Sequence, residues 1–165
     1  MTLASSKPDL RRICENAFVE VFGTLSSLSA TAPKSASKSS ASETLDQITS
    51  SVPLTGQRLS GVVYVQFPQA FVTQAVRLLT GLDGEAGNAN ALQEDAAGEL
   101  ANMVAGRVAA QLATDGYPCK LGTPSVSRSR GSPIEIQPGV HHGRTDLIFE
   151  GHRLSLELHC HYAVP

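Results

Sequence analysis

Two polar side chains, Glu99 and Asn102, stand three positions apart in a segment that otherwise consists of good helix formers. Residues at i and i+3 lie on one face of a helix, so a single partner could contact both. A carboxylate supplies negative charge, and an amide can hold a water molecule by hydrogen bonds and orient it. Neither residue is a nucleophile with an adjacent base, and an amide takes up no proton near neutral pH. The pair therefore predicts positioning chemistry rather than covalent or general-base catalysis.

The segment that carries the pair predicts an amphipathic helix from about Leu92 to Thr114. At about 100° per residue, its apolar side chains form one stripe. The stripe consists of Ala97, Leu100, Ala101, Val104, Val108 and Leu112. The opposite side carries the pair with Asp95, Gly106, Ala109 and Ala113. Gly106 costs about 1 kcal/mol against Ala in a helix interior, and its missing side chain would let another backbone come close.

Spacing alone leaves two interpretations of the pair open. Polar residues on the outer side of an amphipathic helix are usually solvated surface, and this is the commoner case. The other interpretation is a docking or catalytic surface, with Glu99 and Asn102 on a floor of small side chains. The segments around the helix bear on this choice.

The segment Gly98–Gly106 resembles the Glu-x-x-Asn signature of the CheX branch of the CheC/CheX/FliY phosphatases, which act on the phosphorylated response regulator CheY. Gly61–Pro68 is similar to the family's strand that leads into a helix, and that helix would end at Leu79–Leu82. Gly122–Val126 resembles the Pro-x-Val strand that follows the signature helix. The resemblance spans roughly Leu54–Val126.

Three features depart from the family pattern. Arg107 follows Gly106 where many members have Asn or Lys, and a single Glu-x-x-Asn copy is visible where CheC-like members often have two. The segment Ser127–Gly131 has no recognised counterpart. These departures leave the identity of the partner receiver open.

The resemblance implies a phosphatase that hydrolyses the aspartyl phosphate of a CheY-like receiver domain. Asn102 would orient the attacking water, and Glu99 would dock on the receiver's active-site Lys. The docking surface would further include Asp95, Gly98, Gly106 and Ala109. The receiver's own site supplies Mg²⁺, so no cofactor or metal of this chain is expected.

CheX-type members are homodimers whose sheets join edge to edge, and the apolar last strand here would suit such pairing. A second function class stays open, which is a non-catalytic receiver-binding or flagellar-switch-like interaction module. The presence of both Glu99 and Asn102 favours the enzyme, because the related switch domains typically lack the pair.

Length and composition narrow the other possibilities. A chain of 165 residues suits one domain, predicted here as 1–165. A net charge of −2 gives no electrostatic case for nucleic acid or anionic membrane. No apolar run approaches the roughly 20 residues that span a bilayer, and the start of the chain lacks an apolar signal core. The odd number of cysteines indicates reduced, buried thiols and a cytoplasmic protein. These are Cys14, Cys119 and Cys160.

The pattern along the chain predicts an α+β fold in two layers, with helices on one face of a largely antiparallel sheet. The predicted order is a helix at 8–25, a flexible Ser-rich connector at 26–43 and a main body at 44–165. The body begins with strands Leu45–Val52 and Arg58–Phe67, which a turn at Leu54–Gln57 joins. A helix then runs from Pro68 to Thr80, with Leu79 on its core face and Gly81 as its cap. A loop at 82–90 precedes the signature helix. Later strands are predicted at 120–127, 134–137, 146–150 and 153–162, with a hairpin turn at Glu150–His152.

Other constellations carry weaker signals. His159 and His161 share one face of the last strand, and strand histidines can bind Zn²⁺. No Cys or carboxylate stands at a convincing ligand spacing, so solvent-facing or interface-facing histidines are the favoured interpretation. Arg128 and Arg130 in a Ser-rich segment are expected to be solvated. No P-loop, dinucleotide fingerprint or nucleophile elbow is present.

Overall fold

The computed structural model describes residues 6–29, 46–82 and 87–164. Three helices and six strands occur in these ranges, and they form the predicted α+β fold. In chain order the elements are α1 (Leu10–Ser29), β1 (Gln47–Thr55), β2 (Leu59–Pro68), α2 (Gln69–Thr80), α3 (Ala89–Thr114), β3 (Lys120–Leu121), β4 (Ser125–Ser129), β5 (His141–Phe149) and β6 (His152–Tyr162).

Every strand pair in the sheet is antiparallel. The strand order is β3–β1–β2–β6–β5. Strand β4 pairs with β1 on the same side as β3 does. The two short strands share β1, because β3 pairs Leu54 and Thr55 while β4 pairs Gln47–Ser51. The described sheet therefore ends at β5 on one side and at β3 with β4 on the other.

The last strand, β6, lies inside the sheet. It pairs β2 along one side and the full length of β5 along the other. The prediction that this strand is an exposed edge suited to dimer pairing is therefore wrong. The cause is that β5 begins at His141 rather than at Asp146 and pairs with β6 from His152 to Cys160.

The segment Ile134–Gln137 forms no strand, contrary to the prediction. Pro133 and Pro138 bracket it, and proline lacks the backbone N–H that a sheet ladder needs. The segment belongs to the connection from β4 to β5, which lie at opposite edges of the sheet. This connection must therefore cross a face of the sheet, and Ser132 at its start accepts a hydrogen bond from Gln66 of β2 at 3.1 Å.

The core lies between the three helices and one face of the sheet. Alternation along β2 directs Val63, Val65 and Phe67 inward, and each is fully buried. A cluster of ring contacts joins both helical and strand elements, with adjacent centroids 5.2–6.1 Å apart. Its members are Phe22, Phe67, Phe71 and Phe149. Such burial is the main source of stability in a domain of this size.

Helix α2 begins directly after Pro68, which caps the helix rather than occupying its first turn. Gly81 ends the helix in the left-handed conformation (φ 70°) and donates its N–H to Arg77 O, as the predicted cap requires. Leu79 was expected in the core but is 40 % exposed. Its neighbours Leu78 and Thr80 are exposed as well, because the last turn of α2 extends past the packed part of the helix.

Two turns test the strand predictions. Glu150 (φ 50°) and Gly151 (φ 81°) form a two-residue turn of the primed type, with Phe149 opposite His152. This confirms the predicted hairpin. The turn between β1 and β2 lies later than expected, since Leu54 and Thr55 still pair Gly61 and Ser60 in the ladder.

Helix α1 continues through Ser29, so the first residues of the predicted 26–43 connector are helical. The rest of that connector lies outside the described residues, as do the predicted strand start at Leu45 and positions 83–86 of the loop before α3. The prediction of no signal segment concerned the first residues of the chain, and the structure describes the chain only from residue 6.

Candidate functional site

Helix α3 exposes one narrow side to solvent. It contacts both other helices and strand β1. All residues of the predicted apolar stripe are buried, with at most 1 % exposure. They are Ala97, Leu100, Ala101, Val104, Val108 and Leu112. The helical projection of the sequence is thereby confirmed, and the side opposite this stripe is the one left for a partner.

Glu99 and Asn102 lie on that exposed side. The Glu99 side chain is exposed, and Asn102 is half-buried beside it. Within the described part of the chain, neither side chain forms a hydrogen bond or an ion pair. Their bonding capacity is thus available to a second molecule.

The pair lines a surface depression of about 560 Å³, here called the α3 depression. Its lining consists of Glu94, Asp95, Gly98, Glu99, Asn102, Pro124 and Val126. One wall is α3, and the other is the segment that enters β4. A Cβ on Gly98 would lie 3.8 Å from Val126 Cγ2 and 4.0 Å from Pro124 Cβ, which is ordinary contact. The two walls therefore come close together at Gly98, which lines the depression with the pair.

The predicted docking residues divide into two groups. Asp95 and Gly98 line the α3 depression with Glu99 and Asn102. Gly106 and Ala109 are half-buried farther along the same helix and do not line it. A Cβ on Gly106 would have no neighbour within 4 Å, so the space above it is open for a partner.

Carboxylates dominate the charge around the depression. Glu94, Asp95 and Glu99 are all exposed, and the Arg128 guanidinium lies 3.4 Å from Glu94 Oε1. Arg128 also donates hydrogen bonds to Gln93 Oε1 (3.1 Å) and to Asn90 O (3.2 Å). These contacts show that the expectation of a merely solvated Arg128 is wrong. Its partners lie more than thirty positions away in the sequence, so no local pattern indicates them. The surface suits a cationic group of a partner.

A buried polar network lies on the other face of the sheet. Glu157 accepts from Arg144 Nη1 at 2.8 Å through one oxygen, and its other oxygen lies 2.8 Å from His159 Nε2. The side chains of Glu157 and His159 are 4 % and 8 % exposed. Of the two expectations for these histidines, the solvent-facing one is wrong for His159, whereas His161 is exposed. This outer network also contains Asp146, Arg153 and Ser155.

Metal binding and thiol chemistry find little support in the described ranges. No group of three or more His, Cys, Asp or Glu side chains there is placed to hold a metal ion. Cys14, Cys119 and Cys160 are free, and two of them are buried. Burial raises the pKa of Cys14 to about 12 and that of Cys160 to about 11, so both remain protonated near neutral pH.

A larger depression of about 770 Å³ lies between the start of α1 and the end of α3. It is lined by side chains of both charges, including Lys7, Arg12, Asp9 and Asp115, and it lies away from Glu99 and Asn102. None of the described helices is long and apolar enough to cross a membrane.

Comparison with known proteins gives one family and a consistent fold. The family model described as chemotaxis phosphatase CheX matches residues 48–144. A chemotaxis protein CheX from Vibrio vulnificus is 15 % identical with a TM-score of 0.70, covering 94 % of this chain and 100 % of that one. CheX in a CheX–CheY–BeF3–Mg²⁺ complex from Borrelia burgdorferi is 14 % identical with a TM-score of 0.69, covering 93 % and 99 %.

Thermotoga maritima FliY is a further structural relative, 19 % identical with a TM-score of 0.57, covering 96 % of this chain and 91 % of that one. No curated protein sequence matches the chain. At these identities the structures establish the shared fold, while the family model establishes the relationship in sequence.

Proposed function

Because this chain belongs to the CheX family of chemotaxis phosphatases, we propose that it hydrolyses the aspartyl phosphate of a CheY-like receiver domain. The observation that carries the proposal is the Glu99–Asn102 pair, which is presented outward beside a depression and has no partner among the described residues. What distinguishes the pair from ordinary solvated residues on an amphipathic helix is the second wall, which Pro124 and Val126 form beside it. The Borrelia complex contains CheY together with BeF3 and Mg²⁺, and we expect Mg²⁺ in the active site of the receiver that this protein binds.

Asn102 acts by orienting water. Hydrolysis of a phosphoryl group depends mostly on the alignment of the attacking oxygen and on charge neutralisation. The receiver's Mg²⁺ and active-site Lys neutralise charge, whereas water in an open site is poorly aligned. The Asn102 amide inserts into the receiver site and holds one water in line with phosphorus, and such alignment is worth several kcal/mol of barrier.

Glu99 acts by fixing the docked geometry. It lies one helical turn before Asn102, so a cation bound to Glu99 is held beside the amide. The receiver's active-site Lys is that cation. Asp95 adds negative charge on the same side, and the small residues Gly98, Gly106 and Ala109 allow close approach of the receiver surface.

A homodimer is part of the proposal. With β6 inside the sheet, β5 is the long strand whose outer side is left unpaired among the described strands. An unpaired strand edge is a site for association with a second copy. Light scattering at micromolar concentration would show a mass twice that of the chain, and a monomer would contradict this part.

The experiment that tests the function measures turnover. A CheY-like receiver is labelled with acetyl phosphate and mixed with a tenfold lower amount of this protein, and phosphate release is followed over time. We expect release of many equivalents of phosphate per molecule of protein. Binding that saturates at one equivalent with no acceleration of release would contradict an enzyme and indicate an interaction module.

A further inference from the structure

Arg128 of strand β4 contacts the first turns of α3, ahead of the Glu99–Asn102 pair. Its guanidinium donates to Gln93 Oε1 and Asn90 O and lies 3.4 Å from Glu94 Oε1, so three positions of the first turns of α3 converge on one side chain. An arginine fork can make such simultaneous contacts, and a lysine ammonium cannot reproduce their geometry.

One of these partners is itself fixed on its far side. Gln93 is 3 % exposed, and its amide donates to Thr73 Oγ1 of α2 at 3.1 Å. Thr73 in turn donates to Gln69 O at 3.2 Å. The beginning of α3 is thus held between β4 and α2 by a continuous chain of hydrogen bonds.

The same short strand forms the second wall of the α3 depression. Val126 and Arg128 stand two positions apart in β4 and therefore project from the same face, toward the helices. Val126 lies close to Gly98 of α3, and Arg128 holds the helix about one turn earlier. The distance between the wall and the face that carries Glu99 and Asn102 is set by these two neighbours.

The dipole of α3 disfavours a positive charge at the position of Arg128. This side chain lies at the start of α3, where the helix dipole is positive and a cation is unfavourable by a few tenths of a kcal/mol to about 1 kcal/mol. The Asn88 side chain at the helix start forms no capping hydrogen bond either. The charge-assisted contacts of Arg128 with Asn90, Gln93 and Glu94 outweigh this cost, and they join α3 to β4 rather than linking residues within the helix.

We infer that Arg128 is a positioning residue for receiver dephosphorylation, which holds the Glu99–Asn102 face of α3 against the β4 wall. The inference rests on the proposed function. Arg128 touches neither receiver nor phosphate in this account and acts through α3. Loss of its contacts lets the start of α3 shift relative to β4, and a displacement of about 1 Å costs up to about a hundredfold in rate.

The test compares Arg128→Gln with Arg130→Gln by the turnover of phosphorylated receiver. Arg130 is a matched control, since its side chain is 85 % exposed and lies 3.6 Å from Asp46 Oδ1 rather than on α3. We expect Arg128→Gln to lower kcat about tenfold or more with KM changed less than about twofold. Arg130→Gln should leave both within about twofold of the unmodified protein.

Two results would overturn the inference. Equal kcat for the two variants would show that Arg128 does not position the site. A rise in KM alone that grows with falling salt would show a direct electrostatic contact with the receiver. An inactive unmodified protein would instead refute the proposed function, so the two failures are distinguishable.

A second variant covers poor folding of Arg128→Gln. Arg128→Lys keeps the charge and most of the packing but cannot bond Asn90, Gln93 and Glu94 together. We expect its kcat to fall at least about fivefold with an unchanged circular dichroism spectrum. A kcat equal to that of the unmodified protein would show that charge alone matters and would contradict positioning.

Discussion

Glu99 and Glu157 lie on opposite faces of the molecule, and their carboxylates differ in exposure and in bonding partners. Glu157 is 3 % exposed, and both of its oxygens are engaged by Arg144 and His159. Glu99 is exposed on α3 and has no partner within the described ranges. A polar group whose bonding capacity is used internally supports the fold, whereas one left unused on a shaped surface is available for recognition.

The largest expected effect is on turnover at α3. Asn102→Ala should lower the rate of receiver dephosphorylation by about 10²–10³-fold, because the attacking water loses its orientation. The thermal midpoint should hardly change, since the side chain has no described partner. Binding to a BeF3-activated receiver, followed by calorimetry, should weaken only modestly. A variant as fast as the unmodified protein would refute the role of Asn102.

The next effect is on stability at the outer network. Glu157→Ala should lower the free energy of unfolding by about 3 kcal/mol, because it leaves buried His159 without its carboxylate partner and removes the main partner of half-exposed Arg144. Glu99→Ala is the matched control and should stay within about 0.5 kcal/mol while weakening receiver binding and turnover. Denaturant unfolding of both variants measures this difference. Equal stability losses would erase the contrast between the two faces.

A smaller effect of opposite sign is expected at Gly106. A Cβ there meets nothing within 4 Å, so Gly106→Ala should stabilise the helix by about 1 kcal/mol and raise the thermal midpoint by about 2–4 °C. The added methyl should nevertheless weaken receiver binding, because it occupies the docking surface. Gly23→Ala in α1 also has open space around its Cβ and should stabilise without any loss of binding. Unchanged binding by Gly106→Ala would remove Gly106 from the docking surface.

The smallest effect concerns pH. Burial alone would raise the pKa of Asp146, but hydrogen bonds from Arg153 and Ser155 and the charge of Arg144 outweigh burial and hold that pKa below its usual value. A lowered folded-state pKa contributes stability that is present above the unfolded value, about 4, and is lost as the pH falls through the folded value.

Asp146→Asn should therefore be less stable than the unmodified protein at pH 7, and the difference should shrink in acid. Urea midpoints at pH 7 and about pH 3 measure it. Asp115→Asn, at an exposed position outside the network, serves as the control. A difference that is constant with pH would show that the charge of Asp146 does not stabilise the fold.

The sequence predicted best what local periodicity determines. The 3.6-residue repeat of α3 placed its stripe and the exposed side correctly. Alternation in β6 separated Leu154, Leu156 and Leu158 from the polar residues. The Glu150–Gly151 turn was predictable because glycine adopts positive φ at no steric cost, and a two-residue turn of the primed type requires positive φ.

What the sequence left out depends on long-range contacts. His141–Gly143 carries no strand alternation, yet it extends β5, and a Cβ on Gly143 would lie 2.5 Å from the carbonyl carbon of Leu10 in α1. Arg128 meets residues of α3 that precede it by more than thirty positions. The burial of Glu157 and His159 likewise requires knowledge of the topology, since alternation alone places them on a solvent-facing side.

One measurement tests the central claim most directly, which is that the receiver engages the α3 depression. Backbone amide shifts of ¹⁵N-labelled protein are followed during titration with a receiver activated by BeF3 and Mg²⁺. We predict shifts along α3 from Asp95 to Ala109 and along β4 from Ser125 to Ser129, with the outer network on β6 unchanged. Shifts concentrated at Ser155, Glu157 and His159 with α3 unaffected would contradict the account.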